Sequence, residues 1–139
     1  MVLRLLGVLG VILGLSHPAA RAQSAAGQGT EPAFNGRPLH EWVAELKAPA
    51  PSTRNAAAYA IAGMGAAAAA AVPALIEALD DPAAAVRFPV TVALSEIGPG
   101  AGAAVPRLLV MVDEDFNDEV AAAARRAIRH IKPEALQGP

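Results

Sequence analysis

Asp113, Asp115 and Asn117 stand at alternate positions in a short stretch that also carries Glu114, Asp118 and Glu119. Oxygen ligands at positions 1, 3 and 5 begin a twelve-residue calcium loop, so cation binding is the first chemistry to test. The match stops there. Position 6, where glycine makes the turn, is Asp118, and position 12, where a bidentate glutamate closes the coordination sphere, is Ala124. The reading kept for Asp113 to Glu119 is a solvated loop that places acid at the start of a helix, with weak cation binding left open. Histidine adds little: His17, His40 and His130 form no His-x-x-His or His-Glu-x-x-His set, and no cysteine occurs. Ser16, Ser24, Ser52 and Ser95 lack a nucleophile elbow. Gly98, Gly100 and Gly102 neither follow a strand nor lead to a phosphate-loop lysine. A nucleophile, a base and an orienting group must converge in one pocket for catalysis, and this chain does not supply them. The expectation is a protein with no catalytic residue, no metal and no cofactor.

The elements behind these residues are legible from apolar spacing. Leu39, Trp42, Val43 and Leu46 lie at i, i+3, i+4 and i+7, and the pattern returns 33 residues later as Val72, Leu75, Ile76 and Leu79, then as Val105, Leu108, Leu109 and Val112. Those offsets share one face of a helix, and a fixed period of this length marks stacked units. A second pattern follows each quartet: Ala57, Ala60, Ile61 and Met64; Val90, Ala93, Leu94 and Ile97; Ala124, Ala127, Ile128 and Ile131. Each unit is therefore a helix A, a loop, a helix B and a turn. Pro49, Pro51 and Pro82 break the chain between A and B, because proline has no amide to continue a helix. Gly65 and Gly98 close the first two B helices, and Ser52 and Asn117 are candidate N-caps for the first and third. Pro89 is expected in the first turn of the second B helix or at a bend in it. The run Ala66 to Ala71 reads as the turn and first residues of helix A.

Residues 1–22 have another purpose. Arg4, an apolar run from Leu5 to Leu15 and then Ala20-Arg21-Ala22 make the three regions of a secretory signal, cleaved before Gln23. The run is shorter than the roughly 20 residues of a membrane-spanning helix, so no stable membrane anchor is expected after cleavage. Gln23 to Asn35 lacks periodicity and reads as a flexible leader. The repeat domain is placed at 36–133, in units 36–71, 72–104 and 105–133, with a tail at 134–139. The whole chain has formal charge −2. Without Arg4 and Arg21, 9 basic residues face 13 acidic ones, a balance of −4 that disfavours nucleic acid as a partner. Without cysteine, an exported domain of this kind folds on its apolar core alone.

The stretches from Val72 to Ala104 and from Val105 to Pro133 resemble bacterial HEAT repeats, including the short variety first named from phycobilisome lyases. Gly36 to Lys47 is similar to the first helix of many exported HEAT proteins. The resemblance implies an all-α fold, an alpha-alpha superhelix of about three helical hairpins acting as a scaffold or binding platform. It implies a tie between units through the arginine of Thr53-Arg54 and Val86-Arg87, absent at Val120-Ala121. Chromophore-lyase activity is a remote alternative carried by the resemblance alone.

Opposite the core stripe of the B helices lie Asn55, Tyr59 and Ala62 in the first unit, Phe88, Val92 and Ser95 in the second, and Ala122, Arg126 and Arg129 in the third. The B helices of HEAT-like stacks line the concave side, so Asn55, Tyr59, Phe88, Val92, Ser95, Arg126 and Arg129 are the expected groove for a protein partner. Packing between neighbouring B helices is the competing account of Tyr59, Phe88 and Val92. Trp42 is expected to cap the first end of the stack. A structural subunit that self-associates through the ends of the stack is the alternative function.

Overall fold

Three helices of 14 residues each, Pro51–Met64, Ala84–Ile97 and Asp118–Ile131, form one layer of the computed structural model, which describes residues 30–138. Shorter helices, Leu39–Glu45, Val72–Ala78 and Val105–Glu114, precede them in turn and form the other layer. In chain order these are α1 (Leu39–Glu45), α2 (Pro51–Met64), α3 (Val72–Ala78), α4 (Ala84–Ile97), α5 (Val105–Glu114) and α6 (Asp118–Ile131). Each A helix packs on the B helix that follows it, and the B helices α2, α4 and α6 stack in succession. The signal segment 1–22, residues 23–29 of the leader and Pro139 lie outside the described residues.

The periodic quartets form the core. Ile61, Leu75, Leu79, Leu94, Leu108 and Ile128 are fully buried and belong to one continuous apolar cluster. Burying a side chain of this kind contributes about 1.5–3 kcal/mol, and here every unit provides several against its neighbours. The return from B to A is made by 3-10 turns, Gly65–Ala71 and Gly98–Ala104. Gly65 and Gly98 adopt φ 56° and 75° with ψ near −140°, a region closed to side chains with a Cβ. Inside the turns Ala68, Ala71, Ala101 and Ala104 are completely buried, so the alanine run lets adjacent turns approach closely.

Several details depart from the sequence reading. The leader was placed through Asn35, yet Ala33–Phe34 (β1) pairs antiparallel with Arg37–Pro38 (β2) across a turn of Asn35 and Gly36, both at positive φ. The Phe34 ring meets Trp42 edge-on at 6.5 Å, and the Arg37 guanidinium lies 4.0 Å from the Trp42 ring centre. Trp42 thus caps the first end as expected, with the hairpin as part of the cap. Ser52 makes no capping bond: Pro51 opens α2 as its first residue and Ala50 is the N-cap. Asn117 does cap α6, its side-chain oxygen accepting from the Val120 amide at 3.0 Å. Pro89 is the sixth residue of α4, beyond the first turn. It leaves the Ala85 carbonyl without its helical donor, and the Asn55 side-chain amide on α2 donates there instead. At the other end, Pro133–Leu136 folds as a 3-10 turn against α6, with Ala135 and Leu136 on the core.

Candidate functional site

A surface made by three separate B helices keeps its shape only if their relative positions are fixed. Two arginines contribute to that. Arg54 at the start of α2 donates to both oxygens of Asp81 in the next unit, at 2.6 and 3.1 Å, and to the carbonyls of Ala48 and Pro49 in its own loop. One unit on, Arg87 repeats the arrangement with Asp115 at 2.8 and 2.9 Å and with the carbonyls of Asp81 and Pro82. Asp81 and Asp115 also accept from the amides of Ala83 and Asn117, which fixes each A-to-B loop. The Arg87 hydrogen bonds are the main cause that holds the Asp115 carboxyl below the usual carboxylate range, outweighing burial. For Asp81 burial is the largest single influence and pushes upward, but the bonds from Arg54 and Ala83 and the charges of Arg54 and Arg87 together bring it below normal. The third unit has Ala121 where the arginine would stand, and the first has Ala48 where the aspartate would stand. The ladder therefore has two rungs and no unmatched member.

These rungs also decide the acidic loop. Asp115 is committed to Arg87 and Asn117 to the α6 amide, so two of the three residues of the calcium pattern are engaged within the chain. Among the described residues no group of three or more histidine, aspartate or glutamate side chains is placed to hold a metal ion.

Six of the seven predicted groove residues, all but Arg129, line depressions on the B layer. Asn55, Tyr59, Ala84, Ala85, Phe88, Asn117, Glu119 and Val120 line a depression of about 480 Å³. Its lining comes from all three units, with Phe88, Ala84 and Ala85 of the second between residues of the first and third. Phe88, Asp118, Glu119, Ala122 and Arg126 line the next depression, and Val92, Ser95, Glu96, Ala123, Arg126 and His130 the one beyond. Because Phe88 and Glu119 belong to the first two and Arg126 to the last two, the three form one furrow. Arg129, predicted to belong, lines none of them. Tyr59 is 48% exposed, whereas Phe88 and Val92 are half-buried against the core. Packing and presentation thus divide the aromatic pair: Tyr59 faces the furrow, and Phe88 does both.

A family model for HEAT repeats matches residues 39–129. The chain belongs to the HEAT-repeat family. No curated protein and no solved structure matches it. HEAT repeats are commonly protein-interaction scaffolds and typically non-enzymatic. The match is to the repeats as such and brings no activity with it.

Two features of this HEAT domain were missed in the sequence. Asp118 and Glu119 belong to the furrow wall, although their spacing marked them only as helix-dipole partners. Their distance of seven and eight residues from Arg126, a register of about two turns, was the available signal. Phe116 is the other. It occupies the loop position of Pro49 and Pro82 in the earlier units, and its side chain is wholly in water.

Proposed function

We propose that this HEAT-repeat protein is an exported, non-enzymatic module that holds a protein partner in the furrow of its B helices. The observation that carries the reading is the shared depression in which Asn55 and Tyr59 of the first unit and Asn117 and Glu119 of the third flank Phe88 of the second. A site assembled from all three units gives every repeat a role in binding, which a spacer would not need. Export rests on the n-region, h-region and Ala20-Arg21-Ala22 pattern of the first 22 residues.

The test is affinity capture by the mature chain from its own source, with Tyr59→Ala and Arg126→Glu beside the parent. Both side chains are exposed, so melting temperature should stay within about 0.5 kcal/mol-equivalent of the parent while capture falls. Arg129→Glu, outside the furrow, should leave capture unchanged. Phe88→Ala should lower both, because its ring also packs on the core. Equal capture by all four variants would place the interface elsewhere and refute the furrow.

A further inference from the structure

The charges that border the furrow on α6 lack the pairing that many charges elsewhere in this protein have. Arg37, Lys47, Arg54, Arg87 and Arg107 each pair with a carboxylate. Among the described residues, Asp118, Glu119 and Arg126 make no ion pair and no side-chain hydrogen bond. Within the helix none can form between them. Partners on a helix must lie three or four residues apart, and the positions three and four beyond Asp118 and Glu119 are Ala121, Ala122 and Ala123. Glu119 and Arg126 are seven residues apart, about 10.5 Å along the axis at 1.5 Å per residue. Both charges border the furrow, with Phe88 and Ala122 lining the space they share. Uncommitted opposite charges, held apart over an apolar floor, are what a bound chain with the complementary pattern would need.

We propose that the furrow binds an extended polypeptide segment carrying a lysine or arginine and a carboxylate three or four residues apart, with an apolar residue between them. This rests on the furrow being the binding site and specifies its occupant. The basic side chain meets Glu119 and Asp118 beside the Tyr59 and Phe88 rings, where a carboxylate and aromatic faces both attract a cation. The carboxylate meets Arg126. The apolar residue covers Phe88. The spacing follows from chain geometry: an extended chain advances about 3.3 Å per residue and a polyproline II chain about 3.1 Å. Side chains return to the same side at every second residue in the first case and every third in the second; a two-residue step of about 6.6 Å falls short, whereas steps of four and three residues span about 13 and 9 Å and bracket the Glu119 to Arg126 separation. Adjacent opposite charges cannot reach both.

The test uses fluorescent nonapeptide pools, random except for fixed positions, titrated into the mature chain by anisotropy. One set fixes Lys and Glu three or four apart, a second fixes them adjacent, a third fixes two Lys and a fourth two Glu at the same wide spacing. Wide Lys/Glu pools should bind most tightly, by about three- to fivefold for each charge matched, as expected for exposed pairs. Selectivity should follow the protein's charges: Glu119→Lys turns preference to the two-Glu pools, and Arg126→Glu to the two-Lys pools. All three residues changed here and in the control Tyr59→Ala are exposed, so melting temperatures verify folding. If Tyr59→Ala weakens binding but preference ignores the charge reversals, the charge pattern is overturned and the furrow stands. Binding that is insensitive to Tyr59→Ala as well overturns both readings, and the absence of binding by any pool at about 1 mM overturns the peptide occupant while the capture experiment decides the furrow.

Discussion

Replacing Arg87 by alanine asks whether the second and third units are joined by a polar rung or by apolar packing alone. The substitution removes both hydrogen bonds to Asp115 and leaves the carbonyls of Asp81 and Pro82 without that donor. The Asp115 side chain, 5% exposed, keeps only the Asn117 amide. Breaking a buried pair by deleting one member costs about 3–5 kcal/mol, and the 15% exposure of the Arg87 side chain places this case at the low end, about 3 kcal/mol. A folded unit of about 110 residues unfolds with an entropy of about 0.23 kcal/mol/K, so the melting temperature should fall by about 13 °C. The assay is thermal unfolding by circular dichroism of the parent, Arg87→Ala, Asp115→Ala and the double variant. The double variant should be less destabilised than the sum of the singles. The dependence on pH has a definite sign. Asp115 is held below its ordinary value in the folded state, so the contribution of the rung is complete above the unfolded carboxyl value of about 3.9 and is lost as pH falls through the folded one. The gap between parent and Arg87→Ala should therefore be steady from pH 7 to 5 and close in stronger acid. A gap under about 1 kcal/mol at pH 7, or one that persists unchanged to pH 2.5, would refute the assignment.

Two further substitutions follow from local geometry. Asn117→Ala should cost about 1 kcal/mol through loss of the α6 cap, whereas Ser52→Ala, which removes no capping bond, should be nearly silent in the same melting assay. Asn55→Ala should cost about 0.5–1.5 kcal/mol by removing the hydrogen bond to the Ala85 carbonyl, which remains open to water, and less in a Pro89→Ala background, where residue 89 regains an amide to donate there; equal costs in the two backgrounds would show that Asn55 does not serve the proline.

The stacked hairpins could be read in the sequence because a buried helix face repeats its apolar residues at fixed offsets. Val72, Leu75 and Leu79, and Val90, Leu94 and Ile97, are all buried as that periodicity requires. The hairpin before α1 escaped because two-residue strands are too short to alternate, and Asn35-Gly36 was the one usable signal. Ser52 misled because a proline beside it does better as the first helical residue than as a breaker. The tolerance of α4 for Pro89 is set by Asn55, 34 residues away, and a contact of that kind has no local trace. Of the furrow, Asn55, Tyr59, Phe88, Val92, Ser95 and Arg126 were legible from helical phase, whereas Arg129 was wrongly included and Asp118 and Glu119 were missed. Its depth was not legible, since whether Phe88 packs or projects depends on the distance between α2, α4 and α6.

Because each rung joins an arginine in one unit to an aspartate in the next, the three units are not interchangeable as building blocks. The middle one, residues 72–104, contains both Asp81 and Arg87. A duplicate of it inserted after residue 104 would accept the arginine before it, offer its own to Asp115, and lengthen the furrow by one helix with every rung of the ladder matched. Repeating the third unit would instead set a second copy of Asp115 against Ala121, a carboxylate in a sheltered loop with no cation. Repeating the first would set Arg54 against Ala48. A longer array of this protein, grown by unequal crossing-over or by design, can therefore be assembled from its centre and from nowhere else.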